Sequence, residues 1–185
     1  MKTYEINIKA LRALLPLAGD RDVRFYLNGV MVEVHQTQTR YVATTGHVMG
    51  IYDESRENDT SETTRIIIPR DVVKQLKPNK KMVFGSLVLN DDETARILNP
   101  ASEQDIGFKP IDGVFPDYQR VVPKEVDGTA GNYDVELLYL FVEVNKLLGA
   151  KYPGVIDLQQ NGPTRAALVH LADSNFKGVV MTYRK

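Results

Sequence analysis

Cysteine is absent from this chain of 185 residues, and histidine occurs only three times. Without cysteine the protein has no disulfide, no thiolate nucleophile and no cysteine-ligated zinc or iron–sulfur site. The histidines, His35, His47 and His170, lie far apart and lack the spacing of a metal-binding motif. Because a chain without cysteine suits a reducing compartment, we expect a cytoplasmic protein.

A long apolar run and an excess of charge of one sign are also missing. No apolar stretch is long enough to span a bilayer, and Arg12 interrupts the apolar stretch 10–18, so we predict no membrane segment and no signal peptide. The 23 Lys and Arg residues nearly balance the 24 Asp and Glu residues, which leaves a formal net charge of -1. Contact with nucleic acid therefore requires a local basic surface.

Catalytic motifs are missing too. The sequence contains no nucleophile motif, no glycine-rich phosphate loop and no His-Glu metal motif. The acidic run Asp91-Asp92-Glu93 is a weak candidate for a cation site, and a solvated hairpin turn explains it better. We therefore predict that the protein is not an enzyme and holds no cofactor or metal.

What the chain does contain is the composition of a folded domain. Hydrophobic residues make up 43% and charged residues 25%, which is enough apolar material for a substantial core. Three segments repeat one order, a short strand that runs into an amphipathic helix. The predicted strand and helix pairs are 4–8 with 9–17, 65–68 with 69–76, and 133–135 with 136–148.

Helix ends and strand patterns support this repeat. Pro69 suits the first position of the second helix, Asp134 is an N-cap for the third, and Gly149 is a C-cap. Apolar and polar residues alternate from Val30 onward, as in a half-buried strand, whereas the polar segment 52–64 predicts a loop. The strands predicted after the helices are 24–28, 30–36 and 40–44, then 81–85, 86–90 and 94–98, and finally 154–159, 166–171 and 178–183.

The repeat predicts an α+β fold made of three β-α-β-β-β units, with helices on one side and antiparallel sheet on the other. The glycine-containing link 124–132 divides the chain. We predict one domain at 1–126, made of the units 1–62 and 63–126, and a half domain at 132–185.

Five stretches carry a more specific signal than the composition does. They are 22–30, 42–47, 66–70, 112–123 and 179–185. In this order they resemble the bacterial DNA sliding clamp family, the DNA polymerase III β subunit. The resemblance is to the middle domain and to the second half of the last domain. It implies the DNA-clamp fold, with three of the six half-domain units of a clamp protomer.

The resemblance also implies a pocket for short peptides of a polymerase or clamp loader. Valine and methionine side chains would form its apolar floor, and methionine adapts its shape to different partners. Ordinary core packing is the alternative role for the same side chains. Val48 stands where the family commonly has a basic residue and Thr182 where it commonly has proline, which puts the peptide preference in question. The implied pocket residues are Thr44, Gly46, His47, Val48, Met49, Pro116, Val121, Val179, Met181, Thr182, Tyr183 and Arg184.

For DNA, the resemblance implies that basic residues on the helices contact phosphates without reading sequence. An ordinary solvated helix face is the alternative, and Glu136 and Glu143 on the third helix favour it because they would repel a phosphate backbone. The implied DNA-binding residues are Lys9, Arg12, Arg70, Lys74, Lys77, Lys80 and Lys81.

Two functions follow as expectations. The first is a clamp-like replication processivity or accessory factor that binds polymerase or loader peptides and encircles double-stranded DNA as a homo-oligomer. A ring of twelve half-domain units would need four copies of this chain. The second is a peptide-binding adaptor or decoy that captures clamp partners without encircling DNA. Neither function involves a membrane.

Overall fold

The computed structural model describes residues 1–79 and 82–183. The strands are β1 (Lys2–Asn7), β2 (Gly29–Val34), β3 (Gln38–Thr44), β4 (Val48–Ser55), β5 (Thr64–Pro69), β6 (Phe84–Leu89), β7 (Ala95–Asn99), β8 (Gln104–Phe108), β9 (Asp157–Gln159), β10 (Ala167–His170) and β11 (Phe176–Val180). The α-helices are α1 (Ile8–Ala13), α2 (Arg70–Gln75) and α3 (Val135–Leu147). Short 3-10 turns occur at Leu15–Leu17, Phe25–Leu27, Pro100–Ser102 and Tyr118–Val121.

These elements form two antiparallel sheets. One has four strands in the order β1-β6-β7-β8, and the other has seven in the order β5-β2-β3-β4-β11-β10-β9. We call β1, α1 and β2–β4 the first unit, β5, α2 and β6–β8 the second unit, and α3 with β9–β11 the third unit. The predicted α+β class, with helices packed against antiparallel sheet, is confirmed.

The first two units exchange their leading strands. β1 of the first unit pairs with β6 of the second, and β5 of the second unit pairs with β2 of the first. Because each sheet contains a strand of the other unit, neither unit can complete its sheet alone. The contact of α1 with α2 joins the two units further.

The third unit joins the first through the pairing of β11 with β4. Gly50 lies opposite Gly178 in this pair. A Cβ on Gly50 would lie 2.4 Å from Leu17 Cδ1, and one on Gly178 would lie 2.4 Å from Phe141 Cε1. Glycine at both positions therefore lets the helical layer approach the strands closely.

The two faces of the seven-stranded sheet bury different clusters. Val30 and Val32 of β2 point into the main core, which combines side chains of all three α-helices and both sheets. Met31, between them, belongs to a second cluster on the other face, with Met49 and Val179. Ile111 and other side chains of the segment that follows β8 pack against this second cluster. Strand β2 is consequently buried along its whole length.

Asp134 and Gly149 mark the ends of α3 as the sequence indicated, whereas Pro69 directly precedes α2 and the cap of α1 was not predicted. Asp134 accepts a hydrogen bond of 2.8 Å from the backbone N–H of Glu136, which caps α3. Gly149 follows the end of α3 with φ +82°, a left-handed conformation that glycine adopts without strain. Asn7 caps α1, since its side chain accepts a bond of 2.9 Å from the N–H of Ala10.

Several predicted elements were wrong. Segment 24–28 is not a strand but contains a 3-10 turn, closed by hydrogen bonds from Leu27 N–H to Arg24 and from Asn28 N–H to Phe25. The third unit has no leading strand, because residues 133–134 are irregular and α3 begins at Val135. It is therefore an α-β-β-β unit rather than β-α-β-β-β.

Other boundaries differ as well. The predicted strands 81–85 and 86–90 are one strand, β6, as far as the described residues show, and Lys81 lies outside them. Strand β8 was not predicted, and β4 was missed because its second half falls in the polar segment taken for a loop. The polar residues of that half have partners: Asp53 pairs with Arg40, and Glu54 accepts a bond from Asn7.

In the described part of the chain, none of the helices combines the length and the apolar character needed to cross a membrane.

Candidate peptide-binding site

A cavity of about 190 Å³ opens where β4 of the first unit meets β11 of the third. Its wall comes from four places: the segment 24–27, the turn between β3 and β4 with the start of β4, the segment 116–121, and the end of β11 with the residue after it. The lining residues are Arg24, Tyr26, Leu27, Thr44, Gly46, His47, Val48, Met49, Pro116, Asp117, Tyr118, Val121, Val179 and Met181.

The turn between β3 and β4 is fixed by its own hydrogen bonds. The Thr44 hydroxyl donates to the Val48 carbonyl at 2.7 Å and accepts from the Gly46 N–H at 2.9 Å. Gly46 has φ +89°, so a residue with a side chain would be strained here. The turn is therefore a rigid rim with Gly46 and His47 at its tip.

The Arg24 side chain places a positive charge at this rim. Its guanidinium bonds to the Asp22 carboxylate, with Nη2 at 2.7 Å from Oδ2, and donates to the Thr45 carbonyl at 2.9 Å. The hydrogen bonds that Asp22 accepts from the side chain and then the backbone of Arg24 lower its pKa to about 2. The charged guanidinium is thus held beside the turn and remains partly exposed to a ligand.

The floor of the cavity is apolar. Met49 and Val179 are opposite each other in the β4–β11 pair and are both almost fully buried. The Met181 N–H donates to the His47 carbonyl at 2.9 Å, which ties the chain after β11 to the turn. Val121 is half exposed at the mouth. An apolar side chain entering here would replace water over these groups.

A buried polar network anchors Tyr118, which lines the cavity. The Tyr118 hydroxyl donates to Glu33 Oε2 at 2.6 Å and accepts from Arg40 Nη1 at 3.2 Å. Glu33 is only 2% exposed and also accepts from Arg65. Burial by itself raises the pKa of Glu33, but the bonds from Tyr118 and Arg65 outweigh it and leave this pKa below its usual value. The network therefore keeps Glu33 charged and the 3-10 turn in place.

The structure brings nine of the predicted pocket residues to this cavity and leaves two outside its lining. Thr182 and Tyr183 do not line it, and the N–H of Tyr183 donates instead to the Asn132 carbonyl at 2.8 Å. Arg184 lies outside the described residues. The lining residues that the prediction missed are Arg24, Tyr26, Leu27, Asp117 and Tyr118. All five lie in the stretches 22–30 and 112–123, so the signal that could have found them was already present.

The described residues contain no group of three or more His, Cys, Asp or Glu side chains that could hold an ion. His47 lines the cavity at an exposed position.

Comparison with known proteins shows the family to which the chain belongs. The family model described as the DNA polymerase III beta subunit, central domain, matches residues 9–117, which is more than half of the chain. The chain belongs to the DNA polymerase III β subunit family. It is 30% identical over 168 residues to the Beta sliding clamp of Vibrio cholerae, and 30% identical over 157 residues to that of Pseudomonas putida.

These clamp relatives are much longer than this chain. The matches cover 86% and 78% of the chain but only 45% and 41% of the two relatives. Among solved structures, the DNA polymerase III subunit beta of Pseudomonas aeruginosa matches with a TM-score of 0.78 at 20% identity, covering 100% of this chain and 66% of that one. The subunit from Thermotoga maritima gives a TM-score of 0.73 at 15% identity, covering 99% and 65%. At these identities the structures establish the clamp fold alone.

The basic residues that the clamp resemblance implies for DNA binding differ in how far their side chains are engaged by the rest of the fold. Arg70 donates to the Leu15 and Ala18 carbonyls at 2.8 and 3.0 Å. Lys9 places its ammonium 3.5 Å from the position of a Cβ on Gly149, just past the end of α3. The Arg70 side chain is therefore engaged within the fold.

The remaining candidates fall into three cases. Arg12 is partly buried, and burial followed by the nearby charge of Arg70 lowers its pKa. Lys74 and Lys77 are exposed at and just beyond α2. Lys80 and Lys81 lie outside the described residues. Among the candidates in the described part of the chain, Lys74 and Lys77 are thus the exposed ones.

Proposed function

We propose that this chain is a sliding-clamp-like accessory factor of DNA replication that binds short polymerase or clamp-loader peptides in the β4–β11 cavity. The observation that carries the proposal is the convergence of nine family-implied pocket residues, from both ends of the chain, on one apolar cavity. No catalytic step is part of this function. The chain presents a shaped surface, and its partner performs any chemistry.

The chemistry of the cavity fits a leucine or phenylalanine anchor. Met49, Val179 and Met181 offer an apolar floor, and methionine adjusts to side chains of different shape. The Arg24 guanidinium at the rim suits a carboxylate or a backbone carbonyl of the peptide. Val48 lines the cavity without a charge, so we expect the affinity to depend on apolar burial more than on ion pairing.

Met181→Asp is expected to weaken peptide binding at least about tenfold, which corresponds to about 1.4 kcal/mol. The reason is that a carboxylate at the floor would lose water when an apolar anchor covers it. The measurement is fluorescence anisotropy with a synthetic peptide that carries leucine and phenylalanine anchors. Met82→Asp is the matched control, because Met82 is half exposed and lies outside the lining. Equal affinity of both variants and the parent protein would exclude the cavity as the binding site.

DNA binding separates the accessory clamp from the adaptor. The adaptor is favoured by Arg70, whose charge is engaged within the fold, and by the acidic Glu136 and Glu143 of α3. The clamp is favoured by the family membership and by the exposed Lys74. Both functions use the same peptide cavity, so only a test with DNA distinguishes them.

If the chain contacts duplex DNA, Lys74→Glu combined with Lys77→Glu should weaken binding and lower the slope of log affinity against log salt by about 2, since about 0.9 counterion is released per phosphate contact. Lys109→Glu combined with Lys124→Glu makes the same charge change at two exposed positions outside the helices and is the control. Retention on nicked circular DNA that is lost on linearisation would indicate a closed ring. A protein that binds the peptide but shows no DNA affinity would be the adaptor.

A further inference from the structure

A groove larger than the peptide cavity lies on the face of the seven-stranded sheet that carries the second cluster. Its volume is about 940 Å³, near the upper end of the usual range for ligand sites. β5, the β6–β7 hairpin and the segment 109–119 after β8 enclose this groove, and Met31 and Glu33 of β2 form part of its floor. We call this site the β5 groove.

The outer edge of β5 is only partly covered. β5 ends the seven-stranded sheet, and β2 occupies its inner edge. In an antiparallel pair the N–H and C=O of one residue point to the same side, and those of alternate residues share that side. The Ile67 carbonyl accepts a bond of 3.0 Å from the Ile111 N–H on the outer edge, so the N–H and C=O of Arg65 point outward as well. Among the described residues these two groups of Arg65 have no backbone partner, and an edge of this kind can pair with another strand.

The floor of the β5 groove places apolar side chains beside a charge that is already neutralised. Met31 and Ile67 are almost fully buried and belong to the second cluster. The buried Glu33 carboxylate accepts hydrogen bonds from Tyr118 and Arg65, and the Arg65 guanidinium balances its charge. A segment bound along β5 can therefore bury apolar side chains against Met31 and Ile67 without displacing an ion pair.

The charges left in the lining of the β5 groove are mostly acidic. Asp117 pairs with Arg120. Glu93 and Asp112 are exposed and form no ion pair within the described part of the chain, whereas Lys109 supplies one positive charge. A basic segment complements this surface, whereas a phosphate backbone would be repelled.

We propose that the β5 groove binds an extended basic segment of a partner protein, which adds a strand to the outer edge of β5. The N–H and C=O of Arg65 bond to the backbone of this strand. Alternate side chains of a strand point to opposite faces. One set therefore packs on Met31 and Ile67, and lysine or arginine side chains of the other set lie near Glu93 and Asp112.

Binding in the β5 groove is separate from binding in the peptide cavity. Residues 116–118 line both sites, but Val179 and Met181 line the cavity alone. Met181→Asp should therefore leave binding in the β5 groove unchanged. Failure of the anchor peptide to bind would count against the proposed function and not against the β5 groove.

A labelled peptide of about eight residues that alternates lysine and valine is the probe, because this length is usual for a strand. Fluorescence anisotropy with the full chain should show saturable binding that weakens as salt screens the charges. A peptide of the same length that alternates glutamate and valine has the same apolar content and should bind at least about tenfold more weakly. No binding of the lysine–valine peptide, or equal binding of both peptides, would overturn the proposal.

Reversal of the acidic charges tests the position of the site. Glu93→Lys combined with Asp112→Lys should weaken binding of the lysine–valine peptide at least about fivefold, because two attractions become repulsions. Glu57→Lys combined with Glu125→Lys makes the same charge change at two exposed positions outside the groove and is the matched control. All four positions are exposed, so the core stays intact. If the two double variants bind the peptide alike, the β5 groove is not the site.

Two substitutions of Arg65 test the strand addition. Arg65→Ala keeps the backbone N–H and removes a positive charge from the groove, so it should bind the lysine–valine peptide at least as tightly as the parent chain. Arg65→Pro also lacks the outward N–H and should bind about fivefold more weakly than Arg65→Ala, which is the effect of one hydrogen bond. Proline is tolerated on an edge strand where its nitrogen faces away from the neighbouring strand, and circular dichroism checks that both variants fold. Equal affinities of the two folded variants would exclude strand addition at β5.

Discussion

Phe141→Ala is expected to lower the free energy of unfolding by about 3–5 kcal/mol, which is the usual cost of truncating a fully buried phenylalanine. Phe141 has no exposed surface, and its ring meets that of Phe176 edge to face with centroids 6.2 Å apart. It lies directly over Gly178, where even a Cβ would collide with it. The cavity left by the ring could not be filled from this side without moving β11.

Urea unfolding followed by circular dichroism measures this loss. Tyr152→Ala is the control, because Tyr152 belongs to the same unit and is 65% exposed, so its truncation should cost less than about 1 kcal/mol. Similar losses in the two variants would mean that α3 is not packed on β11 as described. A transition that splits in two would show instead that the third unit unfolds separately.

The sequence predicted those elements whose signals are local. Asp134 and Gly149 mark the ends of α3 by capping chemistry, and the apolar face of each helix follows from its spacing. The alternation around Val30 found β2, although both faces of this strand are in fact buried. Local reading therefore gave the class of fold and the order of its units, and the family resemblance supplied the clamp topology.

Elements that depend on distant partners could not be found in this way. The polar end of β4 is a strand because Arg40 and Asn7 supply partners for Asp53 and Glu54, and neither pairing is visible along the sequence. The exchange of β1 and β5 between units is likewise a long-range property. At the leading segment of the third unit the residues suit a strand, but residues 133–134 are irregular and pair with no strand of the described part of the chain.

The candidate site likewise has a part that could be assigned from the sequence and a part that depends on contacts between distant residues. Its apolar floor and its glycine turn could be assigned from stretches that resemble the clamp family. Arg24 and Tyr118 lie in such stretches too, but the contacts with Thr45 and Glu33 that hold them at the cavity join residues far apart in the sequence. The polar network under the cavity is thus the part of the site that only the folded chain reveals.

Glu33→Gln is expected to lower the free energy of unfolding by about 1–3 kcal/mol at neutral pH, the range for disturbing a buried charged hydrogen bond. The amide cannot accept at both oxygen positions, so either Tyr118 or Arg65 loses its acceptor. The half-exposed Arg65 can turn to water, whereas Tyr118 is buried and keeps only its bond from Arg40. Glu62→Gln, at an exposed position, should be neutral.

The pH dependence of the free energy of unfolding tests whether the charge of Glu33 causes the loss of stability in Glu33→Gln. The pKa of Glu33 is lower in the folded chain than its usual value. The Glu33 carboxylate therefore contributes fully to the free energy of unfolding above the unfolded pKa of about 4.3, and this contribution is lost as the pH falls through the folded pKa. The difference between the parent protein and Glu33→Gln should therefore be largest near neutral pH and shrink in acid.

A double-mutant cycle with Tyr118→Phe connects this network to the cavity. If the hydroxyl of Tyr118 and the carboxylate of Glu33 stabilise each other, the two changes together should cost about 1 kcal/mol less than the sum of the single changes. Because the ring of Tyr118 lines the cavity, Glu33→Gln should also weaken binding of the anchor peptide, although Glu33 itself does not line the cavity. Additive stabilities together with an unchanged peptide affinity would mean that Glu33 supports the sheet alone, whereas coupling in both measurements makes it the residue that positions the wall of the binding site.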